Sequence, residues 1–437
     1  LKQPGDLCPD HERPCEWTEE ENFFFRLSAY QEWLEEKIRS GAIQIDPQVR
    51  RNEVLAILRQ GLQDFSISRA RVKWGIPVPE EPSHVFYVWI DALANYITAL
   101  GFAKQAELYQ TFWEGADERF HFIGKEIIRF HCLYWPAILH AADLPVPTRL
   151  FAHGWLTKEG KKLSKTTGNI IDTDALIDRH GADAVRYFLL REGSFGQDWD
   201  FTDTAFVKRY NSDLANDLGN LFSRVLSMTK KYFDSVVPEA AGESRLAPRA
   251  DEAWEKVAGA VGRIAPHHAL AAAWEFIGAV NKYLDDEKPW MLAKDEAQRD
   301  RLAFCMKECL EALRFTAILV AAFLPHTAQR MWDDLGLDGS PSPAGDAPRP
   351  ALELRGFAKT KLLKPGESQT LSFRLVSRDL VRFDEGSSSW VADAGAYTVK
   401  IGASSADIRQ TAGFTLEREE VVGSVSTAVG AKGLSTP

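Results

Sequence analysis

A short segment near the middle of the chain is rich in lysine and hydroxyl side chains. Residues 160–169 read GKKLSKTTGN and follow a strand-like apolar segment, Phe151 to Leu156. Lys162 and Lys165, with the hydroxyl groups between and after them, can wrap the oxygens of a triphosphate, because an ammonium group is a mobile point charge suited to phosphate. An isolated segment of this kind is more often a solvated basic turn. The motifs around it favour a phosphate-binding loop.

Two apolar runs elsewhere in the sequence are typical of strands. Residues 84–89 (HVFYVW) and 120–123 (FHFI) are short and rich in aromatic or β-branched side chains, and a helical pattern follows each of them. Alternating strands and helices are the signature of a parallel sheet flanked by helices. Ligands of such sheets bind beyond the carboxyl ends of the strands. We therefore expect a ligand site formed by residues 89–91 and 124–126.

The composition is that of a folded, water-soluble protein. The 437 residues are 45% hydrophobic and 26% charged, with a net charge of -10 and five cysteines. These values exclude a disordered chain, a collagen and a disulfide-stapled mini-protein. No apolar run approaches the ~20 residues that span a bilayer, and no signal segment opens the chain. We expect a cytoplasmic protein with no membrane or DNA partner, in which contact with RNA depends on a local patch.

Changes in periodicity divide the chain into segments. Proline clusters, a Gly/Pro/Ser-rich stretch and switches between helical and alternating patterns give the boundaries. The predicted segments are a mixed region at 1–80, a strand and helix region at 81–202, a helix bundle at 203–338, a linker at 339–350, an antiparallel β sandwich at 351–420 and a tail at 421–437.

The lysine-rich loop belongs to an ordered set of motifs. Lys162-Leu-Ser-Lys-Thr166, followed by Gly-Asn, resembles the KMSKS signature of class I aminoacyl-tRNA synthetases. Over about residues 1–335 the chain is similar to methionyl-tRNA synthetases, and a chance match of every motif in order is implausible. The further motifs are YVWIDA at 87–92, FIGKE at 122–126, HGWL at 153–156 and NDLGN at 216–220.

The resemblance implies an α/β fold: the second part of a Rossmann-type nucleotide fold, then an α-helical anticodon-binding bundle. It also implies methionine-tRNA ligase activity, in which ATP and methionine form methionyl-adenylate before transfer to tRNA(Met). The His-x-Gly-His motif of the first half of that fold does not occur in the sequence. A non-catalytic tRNA-binding or interaction protein is therefore the alternative.

The resemblance assigns roles in catalysis and in binding of ATP, which is used with Mg²⁺. Lys165 stabilises the leaving pyrophosphate, and Lys162 and Ser164 shape the same loop. Gly124 and Glu126 belong to the ATP site, with Glu126 standing where the family usually has the aspartate that binds the ribose.

The resemblance also assigns binding residues for methionine and for the anticodon. An aromatic, apolar pocket suits a thioether, because sulfur makes favourable contacts with aromatic rings. The methionine residues are Arg69, Trp89, Ala92, Tyr96, Ile127 and His131, and the anticodon residues are Asn220, Arg224, Pro289 and Trp290. Phosphate contacts could come from Lys208, Arg209, Lys230 and Lys231.

Cys8 and His11 form a C-x-x-H pair, which in isolation is more often unrelated to metal binding. In many methionyl enzymes a zinc knuckle ends in Cys-Pro-x-His, and Cys8-Pro-Asp-His11 fits that half. Structural zinc takes four ligands. The preceding C-x-x-C is missing, so only half of a Zn²⁺ site is predicted.

The C-terminal region resembles a different family. Residues 350–418, with Trp390 and the segment GAYTVKIG at 395–402, are similar to the fibronectin type III-like domain of family 3 glycoside hydrolases. The catalytic aspartate of those enzymes lies in other domains, so no glycosidase activity follows. A natural fusion and a composite of two genes joined near residues 338–350 both account for the sequence.

Overall fold

A computed structural model describes residues 14, 19–104, 106–163, 168–341, 355, 358, 361, 367–384, 389–404 and 407–424. These residues fall into two compact units. The first holds the described residues up to Leu156 together with Gly196–Trp199, and the second holds Thr157–Phe195 and the described residues from Asp200 onward. Within these ranges no helix is both long enough and apolar enough to cross a membrane.

A three-stranded parallel sheet forms the centre of the first unit. Strand Arg149–His153 lies between Gln44–Asp46 and Phe120–Gly124 and is parallel to both. Its middle residues 150–152 are at most 2% exposed, as expected for a parallel strand covered on both faces. Helices Gln31–Ser40, Gln48–Arg59 and Trp135–Ala141 contribute to the same core.

The strand predicted at residues 84–89 does not join this parallel sheet. The observed strand, Glu81–Phe86, pairs antiparallel with Ser68–Arg69 and with Pro77–Val78. A two-residue turn separates Val78 from Glu81, and such a turn can join only antiparallel neighbours. The expectation of one sheet was wrong because an apolar, β-branched run predicts a strand without predicting its partner. Helix Val88–Thr98 follows the strand directly.

Short elements complete the first unit. Strands Phe24–Phe25 and Phe65–Ser66 pair antiparallel near its beginning. The segment after strand Phe120–Gly124, where the sequence predicts helix, is a succession of a 3₁₀ turn, a π-helical turn and an α-helix. The remaining helical elements are Leu27–Tyr30, Glu107–Tyr109, Gln110–Glu114, Lys125–Ile127 and Phe130–Tyr134.

Helices dominate the second unit, as the sequence predicts. Apolar residues spaced three and four apart are buried in its core, among them Leu214, Leu218, Leu221 and Val225. The helices are Thr173–His180, Ala182–Arg191, Asp203–Arg209, Tyr210–Gly219, Asn220–Phe233, Ala247–Gly262, Pro266–Glu287, Pro289–Leu292, Glu296–Gln298, Arg299–Val320 and Pro325–Asp334.

The C-terminal strands are antiparallel, as the sequence predicts, but one segment with an alternating pattern forms no strand. Leu371, Phe373 and Leu375 alternate with polar residues, yet they lie outside regular structure and are 36%, 51% and 37% exposed. Alternation makes a strand only where a neighbour supplies hydrogen bonds. A 3₁₀ turn, Ser377–Asp379, precedes a sheet of Arg382–Asp384, Ser389–Ala392 and Glu420–Ser424 and a hairpin of Gly395–Ser404 with Asp407–Leu416.

A buried carboxylate connects two helices of the second unit. Asp183 is fully buried, and its Oδ2 accepts a 2.6 Å hydrogen bond from the backbone N–H of Thr327, in the first turn of helix Pro325–Asp334. Free N–H groups in the first turn of a helix need such an acceptor. Burial raises the pKa of Asp183. The capping carboxylate comes from a distant helix, so it stabilises tertiary packing as well as the helix end.

We predict that Asp183→Ala lowers the free energy of unfolding by about 1–3 kcal/mol, because the Thr327 N–H would be buried without an acceptor. Asp183→Asn keeps an acceptor oxygen at the same position and should cost less than half as much. Urea unfolding followed by circular dichroism at 222 nm measures both. Equal losses for the two variants would contradict a capping role.

Candidate functional site

Helix Val88–Thr98 presents an aromatic face in the first unit. Trp89, Ala92 and Tyr96 are spaced three and four residues apart, so they lie on one side of this helix. Leu93 and Ile97, on the adjoining side of the helix, are buried in the core. The Trp89 ring stacks on a residue from another element, Phe130, at a centroid distance of 4.1 Å. The three predicted methionine-pocket residues of this helix are thus placed together.

Two hydrogen bonds join the remaining pocket residues. The Nδ1 of His131 lies 3.1 Å from the backbone oxygen of Ile127, and its Nε2 lies 2.9 Å from the Tyr96 hydroxyl. A carbonyl oxygen only accepts, so Nδ1 carries the proton and Nε2 accepts from the hydroxyl. Burial lowers the pKa of His131 and raises that of Tyr96. Both groups are therefore held neutral, which suits an uncharged substrate side chain.

A second buried histidine supports this pocket and was missed in the sequence. His121 is 5% exposed, its Nε2 accepts a hydrogen bond from Trp135 Nε1 at 3.3 Å, and its ring lies 4.2 Å from that of Tyr96. Its neighbours Phe120 and Phe122 are 42% and 49% exposed. Side chains alternate along a strand, so the sequence FHFIG places the histidine on the buried side with the isoleucine. That alternation was the available signal.

Arg69 is fixed beside the aromatic helix. Its Nη1 donates to the Ser66 hydroxyl at 2.8 Å and to the Ser68 carbonyl at 2.6 Å, and its guanidinium lies 3.9 Å from the Tyr87 ring centre. A planar guanidinium is well suited to such stacking. The guanidinium predicted to orient substrate is therefore held against Tyr87, which precedes Trp89 by two residues in the chain.

The loops after two parallel strands meet at the predicted ATP site. Glu126 Oε2 accepts a 2.9 Å hydrogen bond from Trp155 Nε1. The ammonium of Lys125 lies 4.1 Å from the Trp155 ring centre and 2.6 Å from Asp198. A Cβ at Gly124 would come within 2.6 Å of the Glu126 carboxylate. The glycine therefore leaves the space that the longer glutamate side chain occupies.

A pocket of about 380 Å³ opens beside these loops. Its wall combines positive, negative and apolar side chains, a mixture suited to a ligand with a phosphate, hydroxyl groups and an aromatic base. The lining residues are Arg50, Glu53, Ile57, Lys125, Glu126, Ile128, Arg129 and Trp155. Within the described residues, no group of three His, Cys, Asp or Glu side chains could hold a metal ion.

A hairpin carries the start of the lysine-rich loop in the second unit. Strands Leu156–Lys158 and Lys161–Lys162 pair antiparallel, and Glu159 and Gly160 between them have φ values of 54° and 70°. Two left-handed residues form the tight turn that matches the twist of paired strands. Asp200 Oδ1 accepts from the Thr157 hydroxyl at 2.6 Å and from the Gly160 N–H at 2.9 Å. Hydrogen bonds, led by that from Thr157, lower the pKa of Asp200.

Asn169 fastens the other end of the loop. Its Nδ2 lies 3.4 Å, 3.3 Å and 3.1 Å from the backbone oxygens of Lys158, Lys161 and Lys162. Asn169, which follows the loop, is therefore held beside the backbone of Lys162, which precedes it. The sequence showed Asn169 as part of the motif but gave no signal for this contact.

Several predicted residues lie outside the described part of the chain. They are Ser164 and Lys165 of the lysine-rich loop and the pair Cys8 and His11. Their assigned roles remain predictions.

The four predicted anticodon residues lie on two helices of the second unit, Asn220–Phe233 and Pro289–Leu292. Arg224 donates to Asp285 at 2.8 Å, and its guanidinium lies 5.6 Å from the Trp290 ring centre. Trp290 is 36% exposed, whereas Pro289 is buried at the start of the short helix. Asn220 is exposed, one turn before Arg224. Pro289 therefore positions the tryptophan and is not itself a contact surface.

Comparisons with family models agree with this geometry. Residues 6–226 match the model described as tRNA synthetases class I (M), residues 240–354 match the anticodon binding domain of methionyl tRNA ligase, and residues 340–405 match the fibronectin type III-like domain. A Rossmann-type half-sheet followed by a helical anticodon-binding unit is the architecture of class I aminoacyl-tRNA synthetases. The chain belongs to the methionyl, class I (M), family of tRNA synthetases.

Individual relatives extend the match. A methionine-tRNA ligase of Caldanaerobacter subterraneus is 46% identical over 335 residues, which are 76% of this chain and 52% of that protein. The Bacillus subtilis enzyme is 40% identical over 87% of this chain and 57% of its own length. The Mycobacterium tuberculosis methionyl-tRNA synthetase in complex with methionyl-adenylate is 44% identical with a TM-score of 0.71, covering 76% of this chain and 66% of the other. The chain spans about half the length of the curated relatives it matches.

We predict that His121 makes the first unit acid-sensitive. Burial, and secondarily the nearby His131, lowers the pKa of His121 to about 4 from an ordinary 6.5. Between these values the unfolded chain binds a proton that the folded chain does not, so stability is complete above pH 6.5 and falls by about 3 kcal/mol as the pH drops to 4. His121→Gln should flatten this dependence.

The measurement is urea unfolding, followed by tryptophan fluorescence, at several pH values between 4 and 7. His140→Gln, which changes an exposed histidine of the same unit, is the control and should leave the pH dependence unchanged. An unaltered slope in His121→Gln would show that the acid sensitivity has another source.

Proposed function

We propose that this chain is the second part of the catalytic domain and the anticodon-binding domain of a methionine-tRNA ligase. The complete enzyme would activate methionine with ATP to methionyl-adenylate and transfer the methionyl group to tRNA(Met). The observation that supports this most directly is the neutral, hydrogen-bonded pair of Tyr96 and His131 beside the stacked rings of Trp89 and Phe130. A 44% identical synthetase has been solved with methionyl-adenylate.

The pocket chemistry supports methionine as the amino acid. The Tyr96 hydroxyl donates its hydrogen bond to His131, and neither group carries a charge. A long unbranched thioether would gain contacts with the aromatic rings worth ~0.3–1.5 kcal/mol each. A charged or branched side chain would meet a wall without a counter-ion or would not fit the slot. Arg69, held by Ser66 and Ser68, is the cation available to orient a carboxylate.

ATP, used as its magnesium complex, would bind at the carboxyl ends of the parallel strands. Glu126 offers a carboxylate to the ribose hydroxyls, and Gly124 leaves room for it. Lys162 and Lys165 would neutralise the charge that develops on the leaving pyrophosphate. Donors that meet charge only in the transition state raise kcat and leave substrate affinity almost unchanged. Zinc at Cys8 and His11 remains a prediction about residues that the structure does not describe.

The alternative is a tRNA-binding fragment without catalytic activity. It would rest on the helices of the second unit that carry Arg224 and Trp290, whose guanidinium and ring centre lie 5.6 Å apart. ATP-pyrophosphate exchange with methionine separates the two functions. Exchange by the chain as given would exclude the alternative, and exchange only after the upstream half of a relative is supplied would assign this chain the second part of the site.

We predict that Lys165→Ala, in a chain carrying that upstream half, lowers kcat of ATP-pyrophosphate exchange by ~10²–10³, the usual loss for one preorganised donor. The KM for methionine should change little. Lys161→Ala removes a neighbouring lysine outside the signature and serves as the control. An unchanged kcat in Lys165→Ala would remove this residue from the mechanism.

We predict that Trp290→Ala weakens binding of an anticodon stem-loop with the sequence CAU by ~1–3 kcal/mol, the range for one base stacked on an aromatic ring. Trp254→Ala is the matched control, because Trp254 is 51% exposed on another helix of the same unit. Filter-binding titrations at fixed salt measure both. Equal affinity of the unmodified chain for CAU and scrambled loops would contradict anticodon recognition.

A further inference from the structure

One glutamate, at the end of helix Pro266–Glu287, forms ion pairs with two arginines. Glu287, the last residue of helix Pro266–Glu287, receives a 2.6 Å bond from Arg245 Nη1 on its Oε1. Its Oε2 receives bonds from Arg301 Nε at 3.0 Å and Nη2 at 2.8 Å. The Arg245 guanidinium also lies 5.1 Å from the Tyr283 ring centre. Both guanidiniums are therefore fixed in position by named contacts.

The arrangement leaves positive charge exposed. The Glu287 side chain is 10% exposed, whereas those of Arg245 and Arg301 are 60% and 58% exposed. Glu287 pairs with both cations, and the Glu308 carboxylate, which accepts from the backbone N–H of Arg245 at 3.2 Å, is a second negative group beside them. Each guanidinium has five N–H donors, and Glu287 takes one from Arg245 and two from Arg301. A buried carboxylate thus presents two oriented guanidiniums to solvent.

This arginine pair lies at the helix end that leads to the proposed anticodon platform. Glu287 is three residues before Trp290, so their Cα atoms are at most about 11 Å apart. Lys288 between them adopts a left-handed conformation, with φ of 51°, that ends the long helix and starts the short one. Asp285, two residues before Glu287 and therefore on a different side of the helix, holds Arg224, whose guanidinium faces the Trp290 ring.

Arg209, one of the four cations that the sequence offered for phosphate contacts, is already paired with two carboxylates. Arg209 donates to Glu192 at 2.8 Å and to Asp213 at 3.1 Å, and its side chain is 27% exposed. It stabilises packing between helices. Arg245 and Arg301, at the helix end that precedes Trp290, are exposed and held in position by Glu287, and no sequence motif indicated them.

We propose that Arg245 and Arg301, held by Glu287, bind backbone phosphates of the RNA loop whose base stacks on Trp290. The inference rests on the proposed function, since it names a further contact of the same RNA. Phosphate fits because guanidinium forks pair with its oxygens in a bidentate manner. Phosphate contacts carry no base information, so this pair would add affinity and register while Arg224 and Trp290 read sequence.

The test measures binding of the full chain to the CAU anticodon stem-loop between 50 and 500 mM salt. One phosphate contact on a single strand contributes about 0.7 to the slope of log affinity against log salt. Arg301→Gln should lower the slope by that amount and weaken binding about fivefold at 0.1 M salt, equally for CAU and altered loops. The Arg245→Gln, Arg301→Gln double variant should lower the slope by about 1.4.

Controls separate phosphate binding from a purely structural clamp. Arg314→Gln changes an exposed, ion-paired arginine of the same helix, Arg299–Val320, and should leave the slope unchanged. Arg301→Lys keeps the charge and should retain most of the slope. Thermal melting of every variant measures how much the ion pairs of Glu287 contribute to stability.

An unchanged slope in Arg301→Gln, with or without a lower Tm, would overturn the proposal. So would a loss of affinity confined to CAU, which would indicate a base contact. Trp290→Ala distinguishes the two levels of inference: if it weakens binding while Arg301→Gln does not, anticodon recognition stands and the phosphate contact fails. If neither variant weakens binding, both fail.

Discussion

The parallel pairing of strand Arg149–His153 with both of its neighbours fixes the position of the ligand-binding groups in the first unit. The register places His153 opposite Gly124, so the segments that follow these two strands leave the sheet side by side at its carboxyl edge. One continues into Lys125 and Glu126, the other into Trp155. Their contacts, a hydrogen bond and a cation over an indole ring, follow directly from that register. A shift of one residue would turn these side chains to opposite faces.

Carboxylates in both units orient cations more than they neutralise them. Asp198 holds Lys125, Asp285 holds Arg224, and Glu287 holds two arginines. Exposed ion pairs contribute little to stability, so the main effect of these pairs is to restrict where a long, mobile side chain points. A cation positioned in advance loses less conformational entropy when an anionic ligand arrives. The acidic chain, with a net charge of -10, thus holds individual cations in fixed positions.

Local patterns in the sequence predicted much of the fold, and partners in space were harder to predict. The helical spacing of Leu214, Leu218 and Leu221 was sufficient for the bundle, because helix hydrogen bonds are local. Strand Glu81–Phe86 was found, but its sheet was misassigned, since strand pairing depends on residues distant in sequence. The segment with Leu371, Phe373 and Leu375 alternates correctly and still lacks a strand.

The same distinction applies to the site. Sequence motifs indicated Trp89, Tyr96 and His131, and the structure brings these residues together. Strand alternation was the one signal for His121, whereas Asn169 and the arginines held by Glu287 act through contacts that no spacing rule indicates. Positions that bind ligand leave a recurring motif, whereas positions that support them depend on geometry across the fold.

The attachment of Asn169 to the backbone of Lys158, Lys161 and Lys162 sets a limit on how this loop can diverge among related proteins. Closing a loop costs little extra entropy as it lengthens, about 0.6 kcal/mol for each doubling, so folding alone would tolerate insertions between Lys162 and Asn169. Each inserted residue would, however, move Lys165 relative to both anchored ends. With the role proposed above for Lys165, the length of the segment is constrained by the reach of one ammonium group, and we expect variation in its residue types with very little variation in its length.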